Sequence, residues 1–317
     1  MALSETTKDR IRGCIYGQAI GDALGLGTEF MTRAEVKKYY PDGLKHYDQI
    51  IQDAHRSRWK QGCWTDDTDM MICIANARHD NHFNLNEIAC NFKEWFNGSP
   101  LGIGRHTFNV LCMRDYTKDP IKVAEIVWQM YQCRSAANGG LMRTSIVATS
   151  PIVEEEEIAD ICRLTHPDMR CVGSCVLIVK LMQSLIFADS QLGKAHFMEI
   201  ANRYDSRIAE YVEMSFNDDP VVMSLDDDTM GYTLKTMAIA LWSLWHCDSF
   251  NDGLLAVVNL GGDADTNAAV SCALLGAKHG FSSIPQYYVE NLQNRQILED
   301  IYTHAIADLE NCPHKGK

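Results

Sequence analysis

Residues 10–24 read RIRGCIYGQAIGDAL, and the fold class turns on whether that run is a helix. Ile11, Ile15 and Ile20 stand at helical spacing among Gly13, Gly17, Ala19 and Gly21. Each glycine costs roughly 1 kcal/mol of helix propensity against alanine. A helix here is therefore expected only where neighbours pack closely against it. The same 3.6-residue period marks residues 66–77, 84–96, 121–131, 171–187, 194–214, 232–245 and 266–280. Glu154-Glu155-Glu156-Glu157 stands where a further helix starts, since acidic side chains favour the positive end of the helix dipole. Alternating β-rich runs are nearly absent, so the expected fold class is all-α.

The 317 residues suffice for a substantial core. With 46% hydrophobic and 22% charged residues the composition is globular, the 8 prolines are scattered singly, and no linker or internal repeat divides the chain. One domain spanning residues 1–317 is expected. A net charge of −13 argues against gripping a nucleic-acid backbone, which needs a basic face to displace counterions. Apolar stretches break well short of the ~20 residues that span a bilayer. Residues 1–5 show no signal-peptide pattern. The 12 cysteines include no CxxC pair; Cys171 and Cys175 are the closest. They are expected to be reduced, mostly buried small hydrophobes, in a cytoplasmic protein.

Two short segments concentrate the polar chemistry. Trp64-Thr65-Asp66-Asp67-Thr68-Asp69 precedes one apolar helical run, and Asn259-Leu260-Gly261-Gly262-Asp263-Ala264-Asp265-Thr266-Asn267 opens another. Thr65 or Asp263 alone would serve as a helix cap, worth about 1 kcal/mol. Capping needs one such residue per helix, and both segments exceed the need. Gly261 and Gly262 suit a sharp turn that lets the backbone approach a ligand. Hard oxygen donors of this kind suit Mg²⁺, Mn²⁺ or Ca²⁺ rather than zinc. Capping and cation binding both remain open on spacing alone.

Three look-alikes carry less. Asp226-Asp227-Asp228-Thr229 lacks the glycine turn and reads as a solvated loop. His79-Asp80 is an isolated dipeptide after a helix. Gly25-Leu26-Gly27-Thr28-Glu29-Phe30 has Phe where a dinucleotide fingerprint needs its third glycine, and no strand before it.

Residues 13–30 (GCIYGQAIGDALGLGTEF), 64–68 and 259–267 together resemble the ADP-ribosylglycohydrolases. Gly102-Ile103-Gly104, Asn138-Gly139-Gly140-Leu141-Met142-Arg143, Thr165-His166-Pro167 and Gly231-Tyr232-Thr233-Leu234 fall between them in the family's order, so the resemblance covers roughly residues 8–282. It implies a compact, single-domain orthogonal helical bundle, completed by C-terminal helices, with two Mg²⁺ at the base of a cleft (Mn²⁺ as a substitute). The metal ligands carried over are Thr65, Asp66, Asp67, Asp263, Asp265 and Thr266, with Glu29 beside them as ligand or substrate contact. Asn138, Gly139 and Gly140 would wrap the ADP-ribose phosphates and ribose, and His166 and Tyr232 would line the nucleotide side. Arg143 would contact phosphate or form a structural ion pair.

The implied activity is release of ADP-ribose from a protein side chain or small conjugate by water attack at C1″ of the distal ribose, leaning to an arginine-type N-glycosidic linkage. Gathering Glu29, Asp66, Asp67, Asp263 and Asp265 brings five negative charges together. Two like charges about 4 Å apart repel by ~4 kcal/mol at an effective dielectric of 20. Two divalent cations would bring such a site to about −1. Asp66 or Asp67 is expected as general base, with Glu29 helping to stabilise charge on the ribose. The expected partner is ADP-ribose or an ADP-ribosylated substrate, with no membrane, and the protein is expected to be a monomer. A non-catalytic ADP-ribose binder of crystallin-like type and a His-Asp metal phosphohydrolase stand as alternatives.

Overall fold

The glycine-rich run is the buried second half of a 21-residue helix, α1 (Glu5–Gly25), in a computed structural model that describes residues 3–188 and 192–311. Residues 1–2 of the signal-peptide reading and Cys312 lie outside the described residues. Gly13, Gly17, Gly21 and Gly25 form one stripe along α1 that lies against α13 (Ala264–His279). A Cβ at Gly17 would stand 2.1 Å from the Cys272 carbonyl oxygen, and one at Gly21 2.1 Å from that of Ala268. The two backbones touch, and the propensity lost at the glycines is repaid by that contact.

Among the described residues helices account for 65%, with only two short strands, and the fold is all-α. Between α1 and α13 the chain runs through α2 (Arg33–Tyr39), α3 (Asp66–Ala75), α4 (Leu85–Asn97), α5 (Arg105–Leu111), α6 (Pro120–Met130), α7 (Glu155–Arg163), α8 (Met169–Phe187), α9 (Lys194–Tyr204), α10 (Arg207–Met214), α11 (Thr233–His246) and α12 (Phe250–Val258). It ends with α14 (Gln286–Asn291) and α15 (Arg295–Asn311). The strands, β1 (Arg78–His79) and β2 (His82–Phe83), pair antiparallel as one small hairpin.

Several helices are shorter or more broken than periodicity predicts. The run expected over 194–214 divides at Asp205-Ser206, because Asp205 is extended and its carboxylate accepts from the backbone N–H of Arg207, starting a new helix. Helix α8 is long and apolar enough to cross a bilayer, and most of its surface is buried inside the protein among α7, α9 and α11. All eleven described cysteines are free thiols, and seven of them are buried, as their apolar neighbourhoods require.

Candidate active site

The turn after α1 and the turn before α13 are laced together. Phe30 N–H donates to Gly262 O at 2.6 Å and Gly262 N–H donates back to Met31 O at 2.8 Å. Gly261 and Gly262 have φ of 72° and 70°, a region that suits glycine. A Cβ on Gly261 would lie 2.3 Å from Met31 O, and one on Gly262 2.0 Å from Leu225 O. The close approach expected of this glycine pair is therefore to the protein's own backbone, not to a ligand. It sets Glu29 beside Asp263 and Asp265.

Helix α3 delivers the second set of oxygens to the same place. Helices α3 and α13 aim their N-termini at one point, where their partial positive ends offset the carboxylates. One oxygen from each of Asp22, Asp67 and Asp265 lies within 4.8 Å of the others, and so does one from each of Glu29, Asp263 and Asp265. The two triads share Asp265. Thr65 and Asp263 hold the N-cap positions of α3 and α13, yet neither side chain accepts a capping hydrogen bond from the backbone of its own helix. Capping by these two residues is thus excluded as the reason for their presence. The cap of α3 comes from Asp22 on α1, whose carboxylate accepts from Thr65 and Thr68.

The cluster floors a cleft of about 500 Å³. Glu29, Thr65, Asp66, Asp67, Asp263, Asp265 and Thr266 all line it, together with Asn138, Gly139 and His166 from the opposite wall. Asp66 is partly exposed to the cleft, whereas Asp67 is buried with its Oδ1 unpartnered. Asn138 ties wall to floor: its amide donates to Asp263 Oδ2 at 2.5 Å and to Thr236 Oγ1 at 3.0 Å. Its backbone N–H is taken by Gly231 O, so that group is not free for a phosphate.

Packed this tightly, the carboxylates retain protons. Burial, reinforced by Asp22 and Glu29, pushes Asp66 up to about 7. Asp22 also rises to about 7 through burial, against the hydrogen bonds from Thr68 and Thr65. Asp263 rises only to about 6, because the Asn138 amide opposes burial. Asp67 and Asp265 rise well above the usual carboxylate range through burial and then through neighbouring carboxylates. An all-oxygen set that is buried and crowded enough to hold on to protons has the chemistry of a hard divalent cation site.

Three expected residues do not line the cleft. Tyr232 packs edge-on against Tyr211 at 5.5 Å and under the Arg170 guanidinium at 5.6 Å, while its neighbour Gly231 lines the cleft. Gly140 backs onto Cys162 and His166, where a Cβ would meet Cys162 Sγ at 2.8 Å. Arg143 is fully buried and makes neither a phosphate-facing contact nor an ion pair among the described residues. It lies over the Phe92 ring at 4.4 Å and donates to Thr165 Oγ1 at 2.6 Å. Thr165 Oγ1 lies 2.7 Å from His166 Nδ1. With Arg143 donating to it, the hydroxyl sends its own proton to His166, which is held neutral by burial and by nearby His106 and Arg143.

Some residues at the site were not singled out by sequence. Asp22 lies among Ala19, Ile20, Gly21, Ala23 and Leu24; a lone carboxylate on so apolar a stretch was the available signal. His55 Nε2 lies 2.6 Å from Glu29 Oε2, and Arg58 donates to His55 Nδ1 at 2.5 Å, so His55 donates to the glutamate. His55, Arg58 and Trp59 come from the long irregular segment before α3, which has no period to read. The look-alikes stay apart: Asp226 pairs with Arg33, Asp227 with Lys235, and exposed His79 with Glu87. None of these acids, nor His79, lines the cleft.

Comparison with known proteins follows the same lines. A family model described as ADP-ribosylglycohydrolase matches residues 3–314. ADP-ribosylarginine hydrolase Tri1 of Serratia proteamaculans is 26% identical over 309 residues, covering 92% of this chain and 78% of its own. ADP-ribosyl-[dinitrogen reductase] glycohydrolase of Rhodospirillum rubrum is 27% identical, with 90% of each chain covered. A solved ADP-ribosylglycohydrolase-related protein complex shares the fold at a TM-score of 0.77 and 24% identity, over 98% of this chain and 100% of that one.

Proposed function

Because the chain belongs to the ADP-ribosylglycohydrolase family, we propose that it is a magnesium-dependent hydrolase releasing ADP-ribose from an arginine-type N-glycosidic linkage, on a protein side chain or a small conjugate. The observation that carries this reading is the convergence of two loop-to-helix junctions, far apart in the chain, on one acidic floor beneath an open cleft. Relatives named as ADP-ribosylarginine hydrolases support the choice of linkage.

Thr65, Asp66, Asp67, Asp263, Asp265 and Thr266 would hold two Mg²⁺, or Mn²⁺ in their place. Bound there, the cations would neutralise the cluster and supply Lewis acidity beside the ribose hydroxyls. The unpartnered Oδ1 of buried Asp67 suits a ligand. Asp66 and Asp67 both line the cleft, and Asp66 is the more exposed of the adjacent pair, which suits a general base that takes a proton from the attacking water. Glu29, with its carboxylate steadied by His55, faces the same space and offsets positive charge as it develops on the ribose ring. Across the cleft, Asn138, Gly139 and His166, supported by Gly140 and Tyr232, form the wall for the diphosphate and its ribose. Fixing water and sugar in one geometry contributes several kcal/mol toward the barrier, on the scale of well-oriented intramolecular reactions at about 7–11 kcal/mol. On this reading the protein works as a monomer in the cytoplasm, where free thiols persist.

The test is hydrolysis of ADP-ribosylated arginine and serine peptides with Mg²⁺ and with chelator. Release of ADP-ribose from the arginine peptide, lost in chelator, is expected. A protein that binds ADP-ribose but releases none from any linkage is the non-catalytic alternative. Release of phosphate instead would point to a phosphohydrolase.

A further inference from the structure

Asp22 belongs by distance to the acidic cluster, but its oxygens are already taken. Oδ1 accepts from the backbone N–H of Thr65 at 2.9 Å and from the Thr65 hydroxyl at 2.9 Å. Oδ2 accepts from the backbone N–H of Thr68 at 3.0 Å and from the Thr68 hydroxyl at 2.6 Å. A carboxylate oxygen offers two in-plane lone pairs. Two donors on each oxygen therefore fill the carboxylate, and its side chain is fully buried on a helix that contacts α13 backbone to backbone.

The consequence falls on Thr65. Its hydroxyl has one proton and two lone pairs. Asp22 Oδ1 at 2.9 Å is a nearer acceptor than Asp67 Oδ2 at 3.2 Å. With the proton directed to Asp22, the Thr65 lone pairs turn toward Asp67 and the cleft, oxygen facing oxygen. That arrangement invites a cation and repels a further acceptor.

We propose that Asp22 is a positioning residue: it turns the Thr65 hydroxyl into a cation ligand and clamps the first turn of α3, without itself binding the ion. This rests on the cation-binding reading above. The role parallels outer carboxylates that fix the orientation of metal ligands, whose loss typically lowers affinity 10–100-fold. Asparagine cannot substitute, because its NH₂ group would face the donors of either Thr65 or Thr68.

The experiment titrates Mn²⁺ into the full chain by calorimetry, with circular dichroism in chelator as the check of fold. Asp22→Asn is expected to lower Mn²⁺ affinity by about 10–100-fold while the metal-free protein stays folded. In a Thr65→Val background the same change should cost clearly less than it does alone, since one of its two routes to the ion, the hydroxyl, is already gone. Additive losses in the double variant would overturn the proposal, as would an unchanged affinity in Asp22→Asn. Should Asp22→Asn not fold, Thr68→Val removes one arm of the clamp and should weaken Mn²⁺, with Thr68→Ser restoring it; equal affinities for the two would likewise overturn it. Wild-type protein that takes up neither Mn²⁺ nor Mg²⁺ at millimolar concentration would remove the cation reading itself, a result separable from failure of Asp22 alone.

Discussion

Asn138 Nδ2 lies 2.5 Å from Asp263 Oδ2, so the glycine-bearing wall of the cleft is hydrogen-bonded directly to its acidic floor. The same amide reaches Thr236 Oγ1, which in turn donates to Asn267 Oδ1 at 2.9 Å. Asn138→Ala leaves a buried carboxylate and a buried hydroxyl short of a partner. A stability loss of about 1–3 kcal/mol is expected in urea unfolding with chelator present. Turnover of the ADP-ribosylarginine peptide should fall about tenfold or more. An unchanged urea midpoint would show that the bond contributes nothing.

The two adjacent aspartates should separate by phenotype. Asp66→Asn is expected to lower kcat by about 10²–10⁴-fold while Mn²⁺ still binds within about tenfold of wild type. Asp67→Asn, at the buried position with the unpartnered oxygen, should lose Mn²⁺ first. Equal metal losses in both variants would remove the distinction.

Acid dependence follows from the crowded carboxylates. Asp66 and Asp22 titrate near 7 and Asp263 near 6, against 3.8 in an unstructured chain. Between pH 4 and pH 7 the folded metal-free site thus holds more protons than the unfolded chain. Its contribution to stability is fully present below the unfolded pKa and is lost as pH rises through the folded values. In chelator, Tm should therefore carry a component that falls from pH 5 to pH 7.5. Mg²⁺ needs the ionised forms, so the gain in Tm on adding it should grow over the same interval. A Mg²⁺ effect equal at pH 5 and pH 7.5 would contradict the assignment.

Gly21→Ala tests the contact between α1 and α13. Propensity alone predicts stabilisation by up to about 1 kcal/mol. The added Cβ would stand 2.1 Å from the Ala268 carbonyl oxygen, which is backbone and cannot swing away. The expected net result is destabilisation of about 1–3 kcal/mol, read by urea unfolding. A stabilised variant would mean the helices can part without cost.

Much of the helix content was legible because a buried helical face repeats every 3.6 residues. The floor of the site was legible for a related reason: Asp66-Asp67 and Asp263-Asp265 exceed what a helix start needs. His55, Arg58 and Trp59 were not, since their segment carries no repeat and their positions depend on where it folds back over Glu29. Tyr232 and Gly140 were read as substrate contacts, yet neither lines the cleft. A motif records that residues belong to one loop, and it does not record which side of the loop faces the ligand.

From residue order alone came the helices, the demand for a close partner at the glycine run, and the surplus of acids at two helix starts. Each is a local property, written in the spacing of neighbouring side chains. Folding alone brought those two helix starts to one point, filled Asp22 with four donors, and spent the Gly261-Gly262 turn on the Met31 and Leu225 carbonyls. Those outcomes depend on distances between residues remote in the chain, which are fixed by the packing of α1 against α13 and have no counterpart in any local pattern.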